Sequence, residues 1–246
     1  LPHPILVFLI AFGATLVASM SGGSASLITT PAWLFLGVPL PVAIGSDKVA
    51  GAFWTLPAAR NYLRGRSPDW RLLAPMGALG LAGAFAGTRV AVGVDPRVLR
   101  PAVGAMLLGL VAIAAFARPI GTEERPPRLA RGWAALLGVP LGFYEGLLGS
   151  GNSVITSFAL CGTRGFTLLR ALGHYYVLAF AWCAFAAAVY VAGGWFDARL
   201  AIPSILGSMA GGYAGSALGA RAGQRVVRIL FLATGAVFGL RLLLGG

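Results

Sequence analysis

The chain has 246 residues, 58% of them hydrophobic and only 11% charged, with a mean hydropathy of +0.83. Soluble domains carry about 25% charged residues, so this composition excludes an ordinary soluble domain and predicts an integral membrane protein. The net charge of +12 does not point to nucleic acid, because the basic residues punctuate apolar spans instead of forming a patch with interleaved aromatics.

The apolar segments fall into two sets of four. The first set covers 4–37, 40–63, 70–93 and 97–117; the second covers 132–163, 166–192, 198–220 and 223–244. The polar stretch 118–131 separates them, so the expected organisation is a first transmembrane repeat (1–117), an inter-repeat loop (118–131) and a second repeat (132–246). The opening residues lack a basic n-region and do not read as a cleavable signal. Cys161 and Cys183 lie in apolar surroundings without CxxC or Cys/His spacing. They read as core residues, with no metal and no cofactor expected.

Segment 4–37 is broken by Ser21-Gly22-Gly23-Ser24, and segment 132–163 by Gly149-Ser150-Gly151-Asn152-Ser153. Glycine and serine suit a helix interior poorly. In lipid, backbone without helical partners is tolerated only where it is buried or lines a cavity. Matched interruptions in two halves point to a transporter's binding site. At about 20 residues per crossing, segments of this length are too long for one straight span and too short for two. A re-entrant hairpin with the break at its tip is predicted for each.

The halves are duplicated at an offset of 128. Gly37, Ala43, Gly45 and Gly65 match Gly165, Ala171, Gly173 and Gly193; Asp69, Arg71, Leu72 and Pro75 match Asp197, Arg199, Leu200 and Pro203. The third segments carry Gly80, Gly83 and Gly87 against Gly207, Gly211, Gly215 and Gly219. That rhythm predicts close helix packing. If the first segments are re-entrant, 13 arginines fall on one side and five on the other; if each crosses once, the split is ten to eight. The positive-inside rule favours inverted repeats with six full spans, the inter-repeat loop cytoplasmic and both termini outside.

Lys48 is the only lysine and stands well inside segment 40–63, where a charge is expensive and by default functional. Asp47 and Glu145 are the acids within apolar stretches. Adjacent helical positions point apart, so Lys48 is expected to meet either a ligand anion or Glu145, the latter serving packing alone as the competing reading. His174 aligns with Ser46, and Tyr176 with Lys48. A histidine there could relay protons or bond an anion, or be a hydrogen-bonded structural residue; Tyr175 and Tyr176 could be oxyanion donors or packing aromatics. Helix N-termini at the breaks, near Ser24 and Ser153, offer unsatisfied N–H groups to an anion, with hydroxyls of Ser21, Ser24, Ser26, Thr29, Ser150 and Ser153 as further donors.

The paired breaks, the step Gly37-Val38-Pro39-Leu40-Pro41-Val42-Ala43-Ile44-Gly45-Ser46, and Gly142-Phe143-Tyr144-Glu145-Gly146-Leu147-Leu148-Gly149-Ser150-Gly151 with Ala171-Leu172-Gly173-His174 resemble the TauE/SafE sulfite-exporter family over essentially the whole chain. The resemblance implies a secondary permease for a small sulfur-containing anion: sulfite, thiosulfate or an organosulfonate. Three features depart from the family pattern. The first break reads Ser-Gly-Gly-Ser-Ala in place of a glycine run, with Ala18 near where an acid would fall. The family's T-N-K becomes Ser46-Asp47-Lys48, and its second lysine becomes Tyr176.

The expected fold is an all-α polytopic membrane protein of two inverted repeats, each a broken re-entrant helical hairpin plus three transmembrane helices. The expected site takes Lys48, Ser21, Gly22, Gly23, Ser24, Ser46, Gly149, Ser150, Gly151, Asn152, Ser153, His174 and Tyr176 for the anion, and Glu145 and Asp47 for coupling to protons. The expected partners are a small sulfur oxyanion, the inner-membrane bilayer and protons, with a homodimer as the candidate assembly. A passive anion channel is the nearest alternative. An intramembrane hydrolase is disfavoured, because no G-x-S-G element and no acid–His–Ser spacing singles out a nucleophile.

Overall fold

A computed structural model describes residues 3–91, 105, 108–109, 112, 121–147 and 151–243. The fourth segment of the first repeat therefore lies almost wholly outside the described residues, as do Asp95, Arg97, Arg100, Arg118, Gly149 and Ser150. The described residues are helical, with no strand among them. In chain order the helices are α1 (Pro4–Ser21), α2 (Ser26–Phe35), α3 (Leu40–Tyr62), α4 (Trp70–Ala91), α5 (Arg131–Leu136), α6 (Gly138–Leu147), α7 (Asn152–Arg164), α8 (Leu168–Ala192) and α9 (Ala198–Leu243). A non-helical Gly223 (φ 80°, ψ 173°) interrupts α9, at the first residue of the expected segment 223–244. Gly37 and Gly165, an offset pair, both take left-handed φ, +78° and +68°, where a side chain would be strained.

The glycine rhythms become helix contacts. Gly207, Gly211 and Gly215 lie on the carbonyls of Phe8, Phe12 and Leu16, so α9 runs parallel to α1. Gly138, Gly142 and Gly146 lie likewise on Met76, Gly80 and Ala84, while Gly83 and Gly87 meet the carbonyls of Val139 and Phe143. These contacts set α6 parallel to α4. A Cβ at these positions would collide with backbone, which is why the rhythm is glycine. The middle helices pair differently. Gly45, near the start of α3, faces Trp195 and Tyr190, and Gly173, near the start of α8, faces Leu63. Thus α3 and α8, which correspond under the 128 offset, are antiparallel.

Burial repeats the correspondence. One core cluster contains Val7, Trp33, Val38, Ala43 and Leu200; another contains Ala135, Cys161, Phe166, Ala171 and Leu72, the counterparts at the same offset. Each joins the end of a second hairpin arm to the start of its first arm, so α2 returns toward the beginning of α1 and α7 toward α5. The arms are unequal. The 18 residues of α1 rise about 27 Å at about 1.5 Å each, whereas α2 has ten residues. By length and composition α1 and α8 are each apolar enough to cross a bilayer. Leu9, Val17, Leu56, Phe85, Ile202 and Leu206 are exposed, as a lipid-facing surface requires. Cys161 and Cys183 are buried free thiols.

Candidate functional site

Both breaks are real interruptions. α1 ends at Ser21, with Gly22 in the left-handed region and the Gly23 N–H donating to the Ala18 carbonyl at 2.7 Å. α2 starts at Ser26, two residues after the expected Ser24. At the second break Gly151 (φ +82°) is the N-cap and α7 begins at Asn152. Ala25 and Val154, one beside each break, belong to one contiguous buried cluster with Trp54, Tyr62, Tyr144 and Tyr176. Residues flanking both breaks therefore share one packed core.

Beside the second break Lys48 meets Glu145. Lys48 Nζ is 2.8 Å from Glu145 Oε1 and 3.2 Å from the Glu145 carbonyl oxygen. Their side chains are 15% and 5% exposed. The other carboxylate oxygen accepts from Asn152 Nδ2 at 2.8 Å, and Thr156 donates to Asn152 Oδ1 at 3.1 Å. The Cys183 thiol lies 3.7 Å from Glu145 Oε1. The chain of contacts thus runs from α3 in the first repeat, through the end of α6, to the first turn of α7. An ion pair this enclosed holds only with good geometry and satisfied remaining lone pairs, and Asn152 supplies that satisfaction.

Asp47 points elsewhere. Its carboxylate accepts from Thr29 Oγ1 (2.8 Å), Thr30 Oγ1 (2.6 Å) and Trp33 Nε1 (2.9 Å), all on α2. Charge-assisted bonds of this kind are the strong ones. They pin the short second arm to α3 one residue before Lys48, so Asp47 holds the arm in place.

The profile of the family described as Sulfite exporter TauE/SafE matches residues 7–242. The chain belongs to this family. It is 28% identical to a probable membrane transporter protein of Haemophilus influenzae, over 91% of this chain and 88% of that one. It is 27% identical to the probable membrane transporter protein ORF9 of a Sinorhizobium species, over 96% and 91%. With the probable membrane transporter protein YfcA of Escherichia coli K12 the identity is 23%, over 97% and 88%. No solved structure matches the chain. It is thus a membrane transporter of the TauE/SafE type, in a family named for transport and not for catalysis.

Within this TauE/SafE chain the expected site residues divide into three groups. Lys48, Glu145, Asn152 and Gly151 come together. Ser46, Ser153 and Tyr176 are buried with hydroxyls that have no partner among the described residues. Among the other described serines of the breaks, Ser21 donates to the Val17 carbonyl, and Ser24 and Ser26 bond each other. His174 offers no free ring nitrogen. Nδ1 is 2.8 Å from the Arg170 carbonyl, and Nε2 accepts the Asp69 N–H at 3.1 Å, so the ring fastens the α3–α4 turn to α8. Residues beyond the expected set are Thr30, Trp33, Thr156, Ser157 and Cys183. Ser157 follows Ser153 by four positions on α7, a spacing that puts both on one helix face.

Proposed function

We propose that the protein is an inverted-repeat secondary transporter of the inner membrane that carries a small sulfur-containing anion, such as sulfite, thiosulfate or an organosulfonate, together with a proton. Antiparallel α3 and α8, with reciprocal packing of α1 on α9 and α6 on α4, support inverted repeats. The orientation, with the inter-repeat loop cytoplasmic, rests on the arginine count and on the gathering of those loops at one end. There Glu124 bridges Arg66 and Arg170, and Arg131 pairs with Asp69. A cysteine placed at Glu123 that is labelled from outside intact cells would overturn that orientation.

The single observation carrying the transport reading is the Lys48–Glu145 pair between the repeats at the second break. An entering anion competes with the Glu145 carboxylate for the ammonium, and Glu145, released, takes a proton. The charge on Lys48 stays matched throughout, so no isolated cation is left in the low-dielectric interior. Ser46, Ser153 and Tyr176 provide hydroxyls for the oxyanion. The test is uptake of labelled sulfite, thiosulfate and sulfoacetate into proteoliposomes under an imposed inward proton gradient. Accumulation above equilibrium, lost in the Lys48→Ala variant, is expected. Equilibration without accumulation would leave a passive anion channel, and uptake retained by Lys48→Ala would remove Lys48 from the site.

A further inference from the structure

An open cleft of about 410 Å³ lies at the arginine-rich end of the bundle, outside the Lys48 centre. Its walls are the end of α3 with the turn after it, the start of α8, and α9 just before its break at Gly223. Arg64, Arg66 and Arg221 line it. Arg66 shares Glu124 with Arg170, whereas Arg64 and Arg221 have no acidic partner among the described residues. Three guanidinium groups around one concavity, with a single shared carboxylate, leave uncompensated positive charge. Thr167, the N-cap of the 25-residue α8, forms part of the wall, and a helix N-terminus adds partial positive charge there. Leu169, Ala217 and Ala220 add apolar lining to the cleft, beside the exposed ring of Tyr213.

We propose that this cleft is a second anion site, taking a phosphate- or sulfonate-type oxyanion carried on an apolar stem. Guanidinium groups match such oxyanions in planar, bidentate geometry. The volume falls within the range of small-ligand sites, about 300–1,000 Å³, so it accommodates more than a bare ion. Two sources share this chemistry: the headgroup of an anionic phospholipid, which basic pockets between membrane helices bind, and a free organosulfonate.

The test is thermal unfolding of the purified full chain in neutral detergent, titrated separately with phosphatidylglycerol, phosphatidylcholine and hexanesulfonate. Stabilisation by phosphatidylglycerol but not phosphatidylcholine assigns the site to lipid; stabilisation by hexanesulfonate alone assigns it to the soluble anion. In either arm the Arg64→Gln/Arg221→Gln variant, whose changes are exposed and leave the fold intact, raises the half-saturating concentration by at least about tenfold, and added salt weakens the effect. The Lys48→Ala/Glu145→Gln variant keeps the response, which separates this cleft from the central site. No stabilisation by any probe, or an undiminished response in the double arginine variant, would overturn the proposal.

Discussion

The middle stretches of α3 and α8 correspond under the 128-residue offset and pack antiparallel, yet one is charged and the other is not. Lys48 has Tyr176 as its counterpart, Asp47 has Tyr175, and Glu145 has Val17. Trp54 and Trp182, also an offset pair, both pack against a glycine of a neighbouring helix, Gly212 and Gly80. Packing residues are thus kept in duplicate while the ion pair exists once. A buried pair is costly to desolvate and gives weak net stability, whereas tight glycine contacts are needed wherever the same backbones meet. Duplication therefore constrains the packing twice, and the ion pair only at the place where we propose that solute binds.

The sharpest way to break the comparison is to remove one member of the pair. Lys48→Ala leaves Glu145 buried without its cation, and breaking such a pair costs about 3–5 kcal/mol. Thermal or denaturant unfolding should register that loss, with transport abolished in the same preparation. Adding Glu145→Gln should restore most of the stability and none of the transport. If the double variant transports normally, the pair only fixes packing. Glu145→Gln alone should leave uptake indifferent to pH, whereas wild-type uptake should rise as the medium on the side of anion uptake is acidified. A pH profile unchanged from wild type would remove Glu145 as the proton carrier.

The scaffold, by contrast, should fail equally from either half. Gly142→Leu and Gly211→Leu each push a side chain into the backbone of the facing helix, at Gly80 and Phe12. Overpacking costs about 1–3 kcal/mol and occasionally more, and backbone on both sides of these contacts places them at the upper end. Matched losses in unfolding temperature would sharpen the claim of two equivalent packing seams; a large loss from one and none from the other would contradict it. A smaller, one-sided effect is expected at Asp47. Asp47→Ala strands the donors of Thr29, Thr30 and Trp33, about 2 kcal/mol or slightly more for bonds to a charged group, and loosens α2.

Much of this arrangement was readable from composition and pattern. The apolar segments, the two Gly/Ser interruptions and the 128-residue offset are properties of order along the chain, and outside segment 97–117, which lies almost wholly beyond the described residues, they map onto the helices, the breaks and the paired core clusters. A lysine inside an apolar span demands a partner, and Glu145 was one of only two acids in apolar stretches. What could not be read is what depends on how an arm folds back. The Thr29, Thr30 and Trp33 donors reach Asp47 only because α2 returns along α3. His174 is occupied by a backbone N–H and a backbone carbonyl, groups every residue carries and that therefore leave no mark in sequence.

The smallest effect separates the scaffold from the site most cleanly. Tyr176 is fully buried, its ring against Tyr62 and Trp54, and its hydroxyl has no partner among the described residues. Removing an unsatisfied buried hydroxyl loses no bond and relieves a desolvation cost. Tyr176→Phe should therefore leave unfolding unchanged to within about 0.5 kcal/mol, or raise stability slightly. If the hydroxyl is held in reserve for the oxyanion, the same variant should raise the KM for the transported anion several-fold, because a charge-assisted bond made only with solute present is lost. An unchanged KM would leave Tyr176 as an aromatic spacer where its counterpart in the first repeat carries the cation, and the bound anion would then be held from the Lys48 side alone.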